Sequence, residues 1–159
     1  MTTDDALSQL CLRCGLCCDG NLFTQVPLAA AEVADARRRG LTIAARPDGG
    51  DALRQRCDAL TGTRCKIYDE RPASCRRYHC MLHAALAADE VSLASALALV
   101  DEAHARLTAL AAELPADADA AMQRARRAVR DGLATDAARE ALQRAAAHLG
   151  RHFHRDAGR

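Results

Sequence analysis

At 159 residues and a formal net charge of +1, the chain has room for one compact domain or a small module with an appendage. It gives no electrostatic reason to expect nucleic acid or an anionic membrane as a partner. With no tryptophan, two phenylalanines and two tyrosines, alanine and leucine must supply the apolar surface, which favours closely packed helices. The longest apolar run, Val91 to Val100, is too short to span a bilayer and is flanked by Asp89–Glu90 and Asp101–Glu102.

The first residues, Met1-Thr-Thr-Asp-Asp, are acidic and lack the basic and apolar regions of a signal peptide, so a reducing cytoplasmic location is expected. Leu22 to Val26 reads as a short extended piece. Pro27 suits the first turn of a helix that runs to about Arg39 and ends at Gly40. Residues 46–52 form a turn or loop, and Cys65-Lys-Ile-Tyr a short extended segment. Arg71-Pro72 starts a short helix that carries Cys75 on its first turns.

Beyond residue 83 the composition turns alanine-rich, and three helices follow. Leu93, Leu97, Val100, Leu107, Leu110 and Leu114 recur at helical spacing, closed by Pro115. Met122, Val129 and Leu133 mark a second helix. The third is capped by Thr135 and striped by Ala138, Leu142, Ala145, Leu149 and Phe153. The expected fold is mainly α: an irregular cysteine-rich metal-binding module, residues 1–83, packed on a helical hairpin or three-helix bundle, residues 84–159.

All eight cysteines lie between Cys11 and Cys80. In a chain without an export signal, metal ligation explains them better than a disulfide framework. Cys11, Cys14 and Cys17 can converge on one centre if the backbone curls, with Gly15 supplying a positive φ and the loop amides pointing at thiolate sulfurs. This spacing matches the first three cysteines of the bacterial ferredoxin run, but Cys18 follows at once where a ferredoxin has three intervening residues and Cys-Pro. In extended backbone the Cys17 and Cys18 side chains diverge, so Cys18 either serves a second centre or packs as a small apolar residue. The second group, Cys57, Cys65, Cys75 and Cys80, lacks the second C-x2-C knuckle of a zinc ribbon, although zinc accepts any four thiolates placed tetrahedrally. Eight thiolates suffice for two four-cysteine sites, or for one site plus spare cysteines. Arg13, Arg64, Arg71, Arg76 and Arg77 lie close in sequence to cysteines and are candidate donors to the anionic sulfurs.

Taken together, Cys11-x2-Cys14-Gly15-x-Cys17-Cys18, Cys57-x-x-Leu60, Cys65-x-Ile67-Tyr68-x-x-Arg71-Pro72-x-x-Cys75-Arg76 and Cys80 resemble the YkgJ-like cysteine-cluster family, described as a zinc- or iron-chelating domain. The resemblance covers roughly Leu10 to Cys80. It implies metal chelation with Cys11, Cys14, Cys17, Cys18, Cys57, Cys65, Cys75 and Cys80 as the ligand candidates, and it implies no particular reaction. Tyr68 and Arg71-Pro72 read as structural, the proline aiming Cys75.

His79 and His83 flank Cys80 and are secondary ligand candidates. His148 and His152 share a helix face, where cations near a helix C-terminus interact well with its dipole. His104 falls at a core edge. No phosphate-binding glycine loop, nucleophile elbow or dinucleotide fingerprint is present. The expected function is therefore metal binding by thiolates, with an iron–sulfur cluster or iron in redox or sensing. The alternatives are a zinc-stabilised interaction module whose helical region binds a protein partner, and a thiol- or metal-dependent enzyme.

Overall fold

A computed structural model describes residues 2–154. Over these residues the chain is mainly helical, with seven α-helices and five short strands. The end of the 84–159 region, beyond residue 154, lies outside the described residues.

Helix α1 (Thr3–Cys14) opens on a capping box. The Thr2 hydroxyl accepts the Asp5 N–H, and the Asp5 carboxylate accepts the Thr2 N–H. Ala6 and Leu10 are its buried residues. A turn then leads to β1 (Gln25–Leu28), α2 (Ala30–Arg38), β2 (Ile43–Ala45) and β3 (Asp51–Arg54). The three strands form an antiparallel sheet in the order β1-β3-β2. Pro27 does not start a helix. It sits in β1 opposite Ala52, on an edge strand where a residue without an N–H does no harm to the ladder, and α2 begins three residues later. Residues 46–50 make the β2–β3 turn.

The hairpin β4 (Leu60–Thr61) and β5 (Arg64–Cys65) follows. The extended segment expected from Cys65 stops early, because Tyr68–Glu70 wind into a 3-10 turn. Helix α3 (Ala73–Arg77) starts directly after Pro72 and carries Cys75, as the proline predicts. The Glu32 carboxylate caps it by accepting the Ala73 N–H at 2.7 Å. Helix α4 (Met81–Ala87) spans the composition boundary at residue 83.

Helices α5 (Leu93–Ala112), α6 (Ala121–Arg130) and α7 (Asp136–His152) stand where leucine spacing and Thr135 put them, and each touches the other two. Alanines make up much of their buried surface, with Ala96, Ala103, Ala125, Ala141 and Ala145 all buried. Leu133 departs from its expected stripe. It follows Gly132, which ends α6 at φ +74°, and it faces solvent at 79 % exposure.

Two cores result. The larger joins α1, α4 and the last three helices around Leu10, Leu16, Leu82, Val100, Leu110, Met122, Leu149 and Phe153. The smaller lies under the sheet, around Leu28, Val33, Leu41 and Leu53. No helix among the described residues is long and apolar enough to cross a membrane.

Candidate metal centre

The site is built at the end of α1. Cys11 and Cys14, three apart, occupy its last turn and share a face. The first two cysteines are thus helical, and the curl begins only at Gly15. That residue takes φ +65°, and its N–H donates to the Cys11 carbonyl. The Cys18 and Asp19 N–H groups then donate back to the Gly15 carbonyl. Because this backbone turns, the Cys17 and Cys18 side chains do not diverge as extended chain would make them. Their sulfurs lie 3.7 Å apart, far beyond a covalent S–S bond of about 2.05 Å.

Gly15 also lets the second cysteine group reach the first. A Cβ there would stand 2.8 Å from the Thr63 carbonyl oxygen, so only glycine admits the β4–β5 turn at this distance. The Thr63 hydroxyl donates to the Leu12 carbonyl, and the Cys57 N–H donates to the Cys18 carbonyl at 2.9 Å. Cys65 follows on β5, Cys75 on α3, and Cys80 is the N-cap residue of α4, its sulfur accepting the His83 N–H.

The C-terminal helices fasten the turn from the other side. His104 of α5 holds the Cys14 carbonyl at 2.8 Å. Asp19 accepts both the backbone and side-chain N–H of Asn21, and the Asn21 side-chain oxygen Oδ1 accepts the Met122 N–H. This last bond caps α6, whose own N-cap residue, Ala120, offers no side chain for the purpose. Asn21→Ala strands a buried N–H and removes the cap. It is expected to cost about 1–2 kcal/mol in thermal unfolding.

All eight cysteines are free, and all eight line one cavity of about 520 Å³. Its other walls are largely apolar, including Leu10, Leu22, Phe23, Val26 and Phe153. Among the described residues no three His, Cys, Asp or Glu side chains are gathered closely enough to hold an ion where they stand.

Backbone N–H groups are aimed at several of these sulfurs: Leu16 at Cys14, Ala59 at Cys57, Ile67 at Cys65, and His83 with Leu82 at Cys80. Such donors stabilise a thiolate. The Tyr68 hydroxyl favours the thiolate of Cys11. Of the arginines near cysteines, Arg71 bears on the thiols most widely: its charge favours the thiolates of Cys11, Cys17, Cys65 and Cys75. It is held with its guanidinium carbon 3.6 Å from the Tyr68 ring centroid and its Nε donating to the Tyr68 carbonyl. Arg13 instead pairs with Asp101, and Arg64 and Arg76 are exposed. Tyr68 therefore contributes a hydroxyl to the site, a role sequence spacing does not reveal.

The histidines stand apart from the cavity or at its rim. His83 lines it and stacks on exposed His79 with ring centroids 4.2 Å apart. His148 corrects its expected place as a solvated helix-end cation. It is buried, bonded to the Leu99 carbonyl and 3.7 Å from the Glu102 carboxylate, so it ties α7 to α5.

Without metal the thiols resist ionisation. Burial, with the Cys17 charge beside it, pushes Cys11 up to about 11, and burial with the Cys57 charge pushes Cys75 up to about 12. Cys17 alone is held down, by the hydrogen bond from Cys18, whose own thiol is driven up by the same contact. A thiol raised above its ordinary 9.0 keeps a proton in the folded chain that the unfolded chain gives up. Its contribution is complete below that value and is lost as pH rises through the folded one. Metal-free protein should accordingly become easier to unfold between about pH 9 and pH 11, the range set by Cys11 on α1. Denaturant melts should show a fall of a few kcal/mol, at about 1.4 kcal/mol per tenfold change in proton affinity. Bound metal reverses the sign, since acid must then reprotonate the ligands.

Free thiols from α1, β5, α3 and the turns between elements, served by amide donors around one cavity, are the donor set of a chelating domain for soft and borderline metals. The comparison with protein families agrees. Residues 10–97, more than half of the chain and all eight cysteines, match the CxxCxxCC family, described as a "putative zinc- or iron-chelating domain", and the chain belongs to that family. No curated protein and no solved structure matches it.

Proposed function

We propose that the cavity holds iron as cysteine-ligated iron–sulfur clusters, in a protein of electron transfer or sensing. The observation that carries this reading is the cavity itself. Eight free thiols line one cavity of about 520 Å³. A lone zinc ion draws four sulfurs to about 2.3 Å from one centre and needs far less room. A polynuclear body bridged by its own sulfide suits a cavity of that size lined by many thiols, and the Cys11, Cys14, Cys17 spacing is that of the first three cysteines of the ferredoxin run.

When bound, such a cluster supplies one-electron redox chemistry. The chain's own groups set its conditions. Leu10, Leu22 and Phe23 give it an apolar wall, the amides of Leu16, Ala59 and Ile67 favour the thiolates they face, and Arg71 offsets thiolate charge. A reducing, cytoplasmic setting fits this reading, since thiols persist there.

Isolation without oxygen tests it. Brown protein containing iron and acid-labile sulfide is the expected outcome. Colourless protein with stoichiometric zinc would overturn it, and would favour a zinc-stabilised module in which α5–α7 present a surface to a protein partner.

A further inference from the structure

We propose that the eight cysteines form two four-thiol centres side by side: Cys11, Cys14, Cys17 and Cys80 in one, Cys18, Cys57, Cys65 and Cys75 in the other. This rests on the metal-binding reading above and adds which sulfurs act together. Four thiolates is the complement that a tetrahedral zinc site or a cubane cluster takes.

Packing draws the division first. Cys14, Cys17 and Cys80 pack against the helical core, while Cys57 belongs to the sheet core and Cys18, Cys65 and Cys75 pack against it. The seam between the two cores passes between adjacent residues, Cys17 and Cys18.

Local connections follow the line within each group, while α1 also meets β5 across it, as two centres sharing one cavity require. Cys11 and Cys14 end α1, and α1 packs on α4, which Cys80 caps. Across the seam, the Cys57 N–H holds the Cys18 carbonyl, Cys65 pairs with Leu60 in the β4–β5 hairpin, and α3, carrying Cys75, packs on β1.

The adjacent pair therefore acts as a partition. The turn that starts at Gly15 sends neighbouring side chains to different centres while keeping their sulfurs close, so both sites share one cavity wall.

The test counts zinc bound by the full chain, reduced and metal-free, after dialysis against Zn²⁺. Wild type should take up two ions. Cys11→Ser/Cys80→Ser should keep one, as should Cys65→Ser/Cys75→Ser, because each pair disables a single centre. Cys80→Ser/Cys75→Ser should keep none. Far-UV circular dichroism establishes that each variant is folded. If the sheet-side pair does not fold, the contrast between Cys11→Ser/Cys80→Ser and Cys80→Ser/Cys75→Ser still decides.

One ion in wild type, or equal losses in same-side and cross-side pairs, would overturn the division. Two ions whose loss groups the cysteines differently would also overturn it, yet leave metal binding intact. A wild-type chain that takes up neither zinc, nor iron with sulfide, would remove the metal reading itself.

Discussion

Stripping metal with a chelator is expected to loosen residues 25–75 while α5 and α7 stay folded. The two cores differ in what they can support alone. The helical core buries Leu10, Leu16, Leu82, Val100, Leu107, Leu110, Met122, Leu149 and Phe153, and the long α5 and α7 run through it. The sheet core fully buries only four large aliphatic side chains, Leu28, Val33, Leu41 and Leu53, with Val26, Ile43 and Ile67 partly buried against them, beneath strands of two to four residues. So little apolar burial does not offset the ordering of that much chain, and thiolate–metal bonds supply the difference. Hydrogen exchange with and without chelator should show a large loss of protection in β1–β5 and α3. In α5 and α7 the loss should be small, and most of the helical circular dichroism should persist. Uniform protection after complete metal removal would contradict this.

Gly15→Ala is expected to cost about 2–4 kcal/mol and to lower metal content as well. Two effects add. An alanine at φ +65° is strained, and its Cβ would meet the Thr63 backbone at 2.8–3.2 Å, where no flexible side chain can give way. The β4–β5 turn must then retreat, taking Cys65 away from the cavity. Gly40→Ala isolates the first effect. Its φ is +76° with nothing within 4 Å of the new Cβ, so it should cost only about 1–2 kcal/mol and leave metal content unchanged. Thermal unfolding and elemental analysis of both variants measure the contrast. Equal effects of the two substitutions would show that the approach of Thr63 does not matter.

The cysteine spacing made the chemistry of the site readable in advance, and the leucine periodicity did the same for α5–α7. Both are local patterns that no long-range contact overrides. Other features depend on contacts the sequence does not display. Cys11 and Cys14 suit a helix end or a loop equally, and the deciding signals, the Thr2–Asp5 capping box and the burial of Ala6 and Leu10, lie upstream of the cysteines. Pro27 fits a first helical turn or an edge strand, since either tolerates a missing N–H, and its pairing with Ala52 settles the matter. Whether Cys17 and Cys18 diverge turns on the hydrogen bonds back to Gly15. The burial of His148 needs the Leu99 carbonyl, supplied from a helix 49 residues away.

Sulfur ligation by this cavity is tested most directly by X-ray absorption at the edge of whatever metal accompanies the full chain isolated without oxygen. A first shell of about four sulfurs at about 2.3 Å, with a metal–metal scatterer if iron is bound, is the expected result. A first shell of nitrogen or oxygen, or a chain carrying no metal, would contradict the account.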